Sequence, residues 1–185
     1  HIVTNPPYGR GLGDAVGQGL FVQADVSHRE QVENAVATCV SEYGAIDILV
    51  NNAWGGGSIG RVENKTDDQL ARGIAVGYYG PFWAMRAAQR HMKERGWGRV
   101  INMCSLNGVN AHMGSLEYNA AKEALRALTR TAAREWAPMG VTVNAVCPAA
   151  KSQAFLRAMA DYPGMEAIAD AANPMGRMGD PYEDI

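Results

Sequence analysis

Tyr118 and Lys122 stand four residues apart in Tyr118-Asn-Ala-Ala-Lys122, with Ser105 thirteen residues upstream. On a helix, positions i and i+4 share a face, so the phenol and the ammonium project together. A phenol with a pKa of about 10 is a poor acid or base near neutrality, and an adjacent ammonium favours the phenolate and lowers that value. A hydroxyl beside the pair holds a substrate oxygen in place. Three such groups make a proton relay for an alcohol–ketone couple in which a bound cofactor carries the hydride. Tyr-x-x-x-Lys alone arises by chance on any amphipathic helix, so its weight depends on the elements around it.

Those elements alternate. Leu20–Val26, Ile46–Asn51, Arg99–Cys104 and Val141–Cys147 are short, β-branched and nearly continuous in apolar residues. That is how strands buried on both faces of a parallel sheet read. His1–Thr4 is a candidate fifth strand. Between them, Glu30–Tyr43 puts Val32, Val36, Cys39 and Val40 on one helical stripe. Asp67–Arg95 carries a long pattern through Leu70, Ile74, Phe82, Met85, Ala88 and Met92, and Glu117–Trp136 aligns Ala121, Leu125, Leu128, Ala132 and Trp136. Strands alternating with helices predict an α/β fold with a doubly wound parallel sheet. Ser105 then follows a strand at the carboxyl edge, where such sheets bind ligands.

The 185 residues are 47% hydrophobic and 19% charged, which favours one globular domain that folds without disulfides or a structural metal. A net charge of −2 argues against a nucleic-acid or anionic-membrane binder. No apolar run approaches the ~18 residues of a membrane span, and no signal-peptide pattern opens the chain. Cys39, Cys104 and Cys147 are odd in number, lack Cys-x-x-Cys spacing and sit in apolar stretches. They read as buried free thiols in a reducing cytoplasm.

Further motifs accompany the Tyr/Lys pair. They are Gln23-Ala-Asp-Val-Ser27, Asp47-Ile-Leu-Val-Asn-Asn-Ala53, Gly98-Arg-Val-Ile-Asn-Met-Cys-Ser105, Val141-Thr-Val-Asn-Ala-Val-Cys-Pro148 and Pro174-Met-Gly-Arg-Met-Gly-Asp-Pro181. In this order and spacing the sequence resembles the short-chain dehydrogenase/reductase family over roughly residues 20 to 185. The resemblance implies a Rossmann-type fold binding NAD or NADP, and oxidation of a secondary alcohol or reduction of a ketone. It implies that Tyr118 is the general acid/base, that Lys122 lowers its pKa and holds the nicotinamide ribose, and that Ser105 orients the substrate carbonyl. Asp25 would meet the adenine amino group with Val26 beside it. Asn52 and Ala53 would pass under the cofactor ribose, Asn51 would brace neighbouring strands, and Pro148 would lie beside the nicotinamide. The family also implies a homodimer or homotetramer built through the two long helices.

The sequence departs from the family pattern in several places. Trp54 stands where the family has Gly, and its indole either lines the pocket or packs in the core. Gly77, in Ala75-Val-Gly-Tyr-Tyr-Gly80, matches an Asn that holds a water in the family's relay. Pro148-Ala149 replaces Pro-Gly. Near the start, Gly11 and Gly13 resemble the end of the family's pyrophosphate turn, within an atypical segment 1–19 that leaves no room for the family's second strand. At the other end a C-terminal strand is absent, and Asp180 with Pro181 and Glu183 reads as the start of a helix. Cofactor binding is therefore expected to be weak, with a dissociation constant on the order of a millimolar. The alternative to an active oxidoreductase is a catalytically silent remnant that folds and self-associates. Separately, Asn5-Pro-Pro-Tyr8 resembles the catalytic tetrapeptide of S-adenosylmethionine-dependent amino methyltransferases. The expected substrate is a small alcohol or ketone, hydrophobic or alicyclic, shaped by Trp54, Met113, Leu116 and the segment Lys151–Pro163.

Overall fold

β-branched runs become strands only where a neighbour completes their hydrogen-bond ladder. The computed structural model of the chain describes residues 2–3, 19–55, 57–151, 155–156, 160, 164–181 and 183–184. Among these, four parallel strands form one sheet: β1 (Ile2–Val3), β2 (Ile48–Asn51), β3 (Gly98–Met103) and β4 (Val141–Val146), in that spatial order. The register sets Ile2 opposite Leu49, Asn51 opposite Asn102, and Asn102 opposite Ala145. Parallel neighbours need crossovers, and helices supply them.

Helix α1 (Arg29–Tyr43) buries Val32, Val36 and Cys39 of the expected stripe, with Ala35 beside them and Val40 only partly buried, and closes at Gly44. Helix α2 (Asp67–Ile74) opens with a reciprocal cap: the Gln69 N–H donates to Thr66 Oγ1, and the Thr66 N–H donates to Gln69 Oε1. The long pattern expected to run to Arg95 is not one uniform helix. A π-helical turn, Ala75–Tyr79, separates α2 from α3 (Gly80–Arg95), with the Gly80 N–H donating to Ala75 O. Such turns carry one extra residue and change which side chains face the sheet. A short helix α4 (Leu106–Val109) and the long α5 (Leu116–Trp136) complete the unit. The core is built from Val26, Leu49, Met85, Ala88, Met92, Val100 and Val141, all buried.

The strand expected at Leu20–Val26 is not formed. Leu20 and Phe21 are exposed, and residues 19–25 have no ladder partner among the described residues. Side chains satisfy the backbone instead. The Asp25 N–H donates to Gln31 Oε1 on α1, and the Ser27 N–H donates to Asp25 Oδ1, so the segment ends in a tight turn.

The chain divides into two compact units, residues 1–146 and 147–185. The second contains α6 (Met165–Ala172), a bridge between Ala150 and Gly179, and the ion pairs Lys151–Glu166 and Arg177–Asp184. Asp180 caps a turn there: the Glu183 N–H donates to its Oδ1. Of the cysteines, Cys39 and Cys104 are buried and Cys147 is only half-buried, which corrects the expectation of three buried thiols. β4 alternates buried and exposed residues and ends in three exposed ones, which corrects the expectation of a strand buried on both faces. Among the described residues no helix is long and apolar enough to cross a membrane.

Candidate active site

β3 ends at Met103, and two residues later Ser105 caps α4, its Oγ accepting from the Asn107 N–H at 3.1 Å. Tyr118 lies in the first turn of α5 and Lys122 one turn on. The Lys122 side chain is buried, and its Nζ donates to Met103 O at 2.6 Å. That bond ties α5 to the carboxyl end of β3, just before Ser105. The helical spacing thus delivers what it promised, an ammonium and a phenol on one face with their strand anchor beside Ser105.

Trp54 completes the cluster. Its ring meets the Tyr118 ring edge-on, with centroids 4.7 Å apart and planes at 76°. The Lys122 ammonium lies 5.6 Å from both ring centroids, within cation–π range. Gly77 makes room for the indole. A Cβ at position 77 would stand 2.7 Å from the Ala121 Cβ and 2.9 Å from the Trp54 six-membered ring. Trp54 and Gly77 are therefore a matched pair sharing one volume. The indole packs against the π-helical turn and also lines a cleft, so pocket and core were not exclusive alternatives.

That cleft, of about 740 Å³, is lined by Asp25, Val26, Ala53 and Trp54, with Val76 and Arg72. Backbone and side-chain hydrogen bonds from Ser27 hold the Asp25 carboxyl below its ordinary range. Asn52 is exposed beside Ala53. Pro148 is exposed in the second unit. Gly11, Gly13 and the tetrapeptide Asn5–Tyr8 lie outside the described residues. Asn51 braces the strands as expected: its Nδ2 donates to Asn102 Oδ1 at 2.7 Å, and Asn102 Nδ2 donates to Thr129 Oγ1 at 2.9 Å. This buried amide chain joins β2, β3 and α5.

The sequence reading missed three features: Asn102, Arg72, and a buried ion pair between Lys65 and Glu117 immediately before Tyr118. Glu117 did carry a signal. It is four residues before Ala121 and eight before Leu125, in line with a buried stripe. Burial pushes its carboxyl up, but the Lys65 hydrogen bond and the Ser58 N–H outweigh that and hold it below the usual carboxylate range.

The short chain dehydrogenase family model matches residues 10–161. The chain belongs to this family. It is 38% identical over 156 residues to the 12alpha-hydroxysteroid dehydrogenase of a Clostridium species, covering 84% of this chain and 60% of that protein. It is 38% identical over 136 residues to the D-beta-hydroxybutyrate dehydrogenase of Rhizobium meliloti, covering 74% of this chain and 52% of that protein. Among solved structures, NAD+-bound xylitol dehydrogenase superposes with a TM-score of 0.76 at 30% identity, over 85% of this chain and 66% of that one. A gluconate 5-dehydrogenase from Burkholderia cenocepacia, in complex with NADP and tartrate, gives 0.77 at 33% identity, over 84% and 61%. The parallel α/β fold of this short-chain dehydrogenase is thus the Rossmann-type fold of those structures. The chain spans between half and two thirds of the length of these relatives.

Proposed function

We propose that this short-chain dehydrogenase chain is an NAD(P)-dependent oxidoreductase that interconverts a secondary alcohol and a ketone. The observation that carries the reading is the Tyr118–Lys122 pair, held to the end of β3 by the bond from Lys122 Nζ to Met103 O. Tyr118 Oη gives a proton to the carbonyl oxygen in reduction and takes it back in oxidation. The Lys122 ammonium stabilises the phenolate that results. Ser105 holds the substrate oxygen within reach.

The cleft suits the cofactor. Its volume lies within the roughly 300–1,000 Å³ of ligand sites, and Ser27 presents the Asp25 carboxylate, an acceptor for an adenine amino group, at its wall. Asp25 and Val26 would hold the adenine, Asn52 and Ala53 the adjoining ribose, and Gly11 and Gly13 the pyrophosphate. Tyr118 and Lys122 would hold the nicotinamide ribose. When bound, NAD(P) supplies or accepts the hydride. The Trp54 ring against Tyr118 supports a hydrophobic or alicyclic substrate.

Two measurements test the reading. Fluorescence titration with NADH and NADPH reports cofactor binding, and Tyr118→Phe is assayed with secondary alcohols and ketones. The ring stays, so packing survives while turnover falls by about 10²–10⁴-fold. A phenylalanine variant that keeps activity within about threefold removes Tyr118 from the acid/base role. A protein that binds neither nucleotide is instead the silent remnant.

A further inference from the structure

Lys65 and Glu117 form an ion pair whose side chains are only 5% and 1% exposed. Lys65 Nζ lies 2.9 Å from Glu117 Oε1 and 2.7 Å from Oε2; only the first approach has hydrogen-bond geometry. Ser58 closes the network. Its N–H donates to Glu117 Oε1 at 2.8 Å, its Oγ donates to the same oxygen at 3.3 Å, and its carbonyl accepts from Lys65 Nζ. The α2 backbone packs closely on the stem of Glu117, since a Cβ at Gly73 would stand 2.7 Å from the Glu117 Cβ. The same strap, residues 57–66, is pinned a second time. The Gly60 N–H donates to Gly114 O at 3.0 Å, and Gly60 bridges Ser115, the residue before α5.

We propose that the Lys65–Glu117 pair is a positioning device: it fixes the first turn of α5 and thereby the Tyr118 phenol. The inference rests on the role proposed for Tyr118 above. Burying two charges is costly, and an uncharged pair of similar volume commonly gives equal or greater stability. Stability alone therefore does not account for an ion pair here. What the pair adds is direction. An ammonium straddling both oxygens, with Ser58 on one of them, sets the rotation of Glu117 about the helix axis. Tyr118 is the next residue, about 100° further round. Catalysis is sensitive to such placement, a shift of about 1 Å costing roughly 10²-fold.

The test replaces the charges without emptying the space. Lys65→Met with Glu117→Gln keeps both volumes and leaves an amide oxygen to accept from the Ser58 N–H. The near-ultraviolet circular dichroism of the Trp54–Tyr118 ring pair, identified as the difference between the parent protein and Tyr118→Phe, reports the phenol's placement with no cofactor present. The double variant is expected to melt within about 5 °C of the parent and to lose the Tyr118-dependent band. Its kcat should fall at least about tenfold, with KM for the nucleotide within about twofold. A merely structural pair predicts the reverse, and a folded double variant with an unchanged band overturns the proposal. Should the double variant not fold, Glu117→Gln alone, measured below its melting temperature, is read in the same way. A parent protein without nucleotide binding or turnover sinks the oxidoreductase reading, while the band still decides the positioning.

Discussion

Gly77→Ala is a sharp test of the Trp54–Gly77 pairing because two effects of opposite sign meet there. Alanine is favoured over glycine inside a helix by about 1 kcal/mol. Against that, the new methyl would stand 2.7 Å from the Ala121 Cβ and 2.9 Å from the Trp54 ring, where ordinary contact begins at 3.4 Å. Neither neighbour yields easily. Ala121 is a fully buried residue of α5, and the indole is wedged against the Tyr118 ring. Overpacking costs about 1–3 kcal/mol, and two contacts below 3.0 Å put this site in the upper part of that range, about 2–3 kcal/mol. The steric term wins, leaving a net loss of about 1–2 kcal/mol. At about 2–4 °C per kcal/mol for a chain of this size, the midpoint should fall by roughly 2–8 °C. Thermal unfolding followed by far-ultraviolet circular dichroism measures it. Trp54→Phe, which withdraws the offending six-membered ring, should soften the effect, so that the double variant is less destabilised than the sum by about 0.5 kcal/mol or more. A midpoint for Gly77→Ala at or above the parent's, or strict additivity with Trp54→Phe, would refute the shared-volume argument.

Four further outcomes are expected. Asn102→Ala strands the buried Asn51 amide, while the Thr129 hydroxyl keeps its bond to the Leu125 carbonyl, and should cost about 1–3 kcal/mol, read from urea midpoints. Glu117 and Asp25 both titrate below their ordinary values in the folded protein, so the unfolded chain takes up protons first. Their contribution is present above the ordinary carboxylate range and drains away as pH falls through it; urea midpoints from about pH 6 to about pH 3 should drop, and drop less in Glu117→Gln. The protein should self-associate through the two long helical segments Asp67–Arg95 and Glu117–Trp136, and a strictly monomeric mass in light scattering would contradict this. Isothermal titration should give a weak constant for NADH or NADPH, on the order of a millimolar, whereas a micromolar value would mean that residues 4–19 form a working phosphate loop.

Much of this protein was legible in local spacing. Tyr118 and Lys122 share a face because the α-helix repeats every 3.6 residues, and that repeat needs nothing from the rest of the chain. The same holds for most of the α1 stripe and for the positions of β2, β3 and β4, read from short β-branched apolar runs, although β4 leaves four of its six residues exposed. Leu20–Val26 shows the limit. Its composition suits a strand, but a strand exists only where another backbone pairs with it, and here Gln31 takes the Asp25 N–H instead. The π-helical turn at Ala75–Tyr79 lay hidden inside a pattern that reads as one helix, because one inserted residue rotates the stripe without breaking it. The features that shape the site most closely are pairings across long stretches of chain. Trp54 needs Gly77, and Lys65 needs Glu117, fifty-two residues away. Each residue alone reads as ordinary: a bulky aromatic, a glycine, a surface lysine, a helix glutamate. Only the folded chain sets which two compete for one volume or neutralise one another's charge, since burial and electrostatics depend on distance in space.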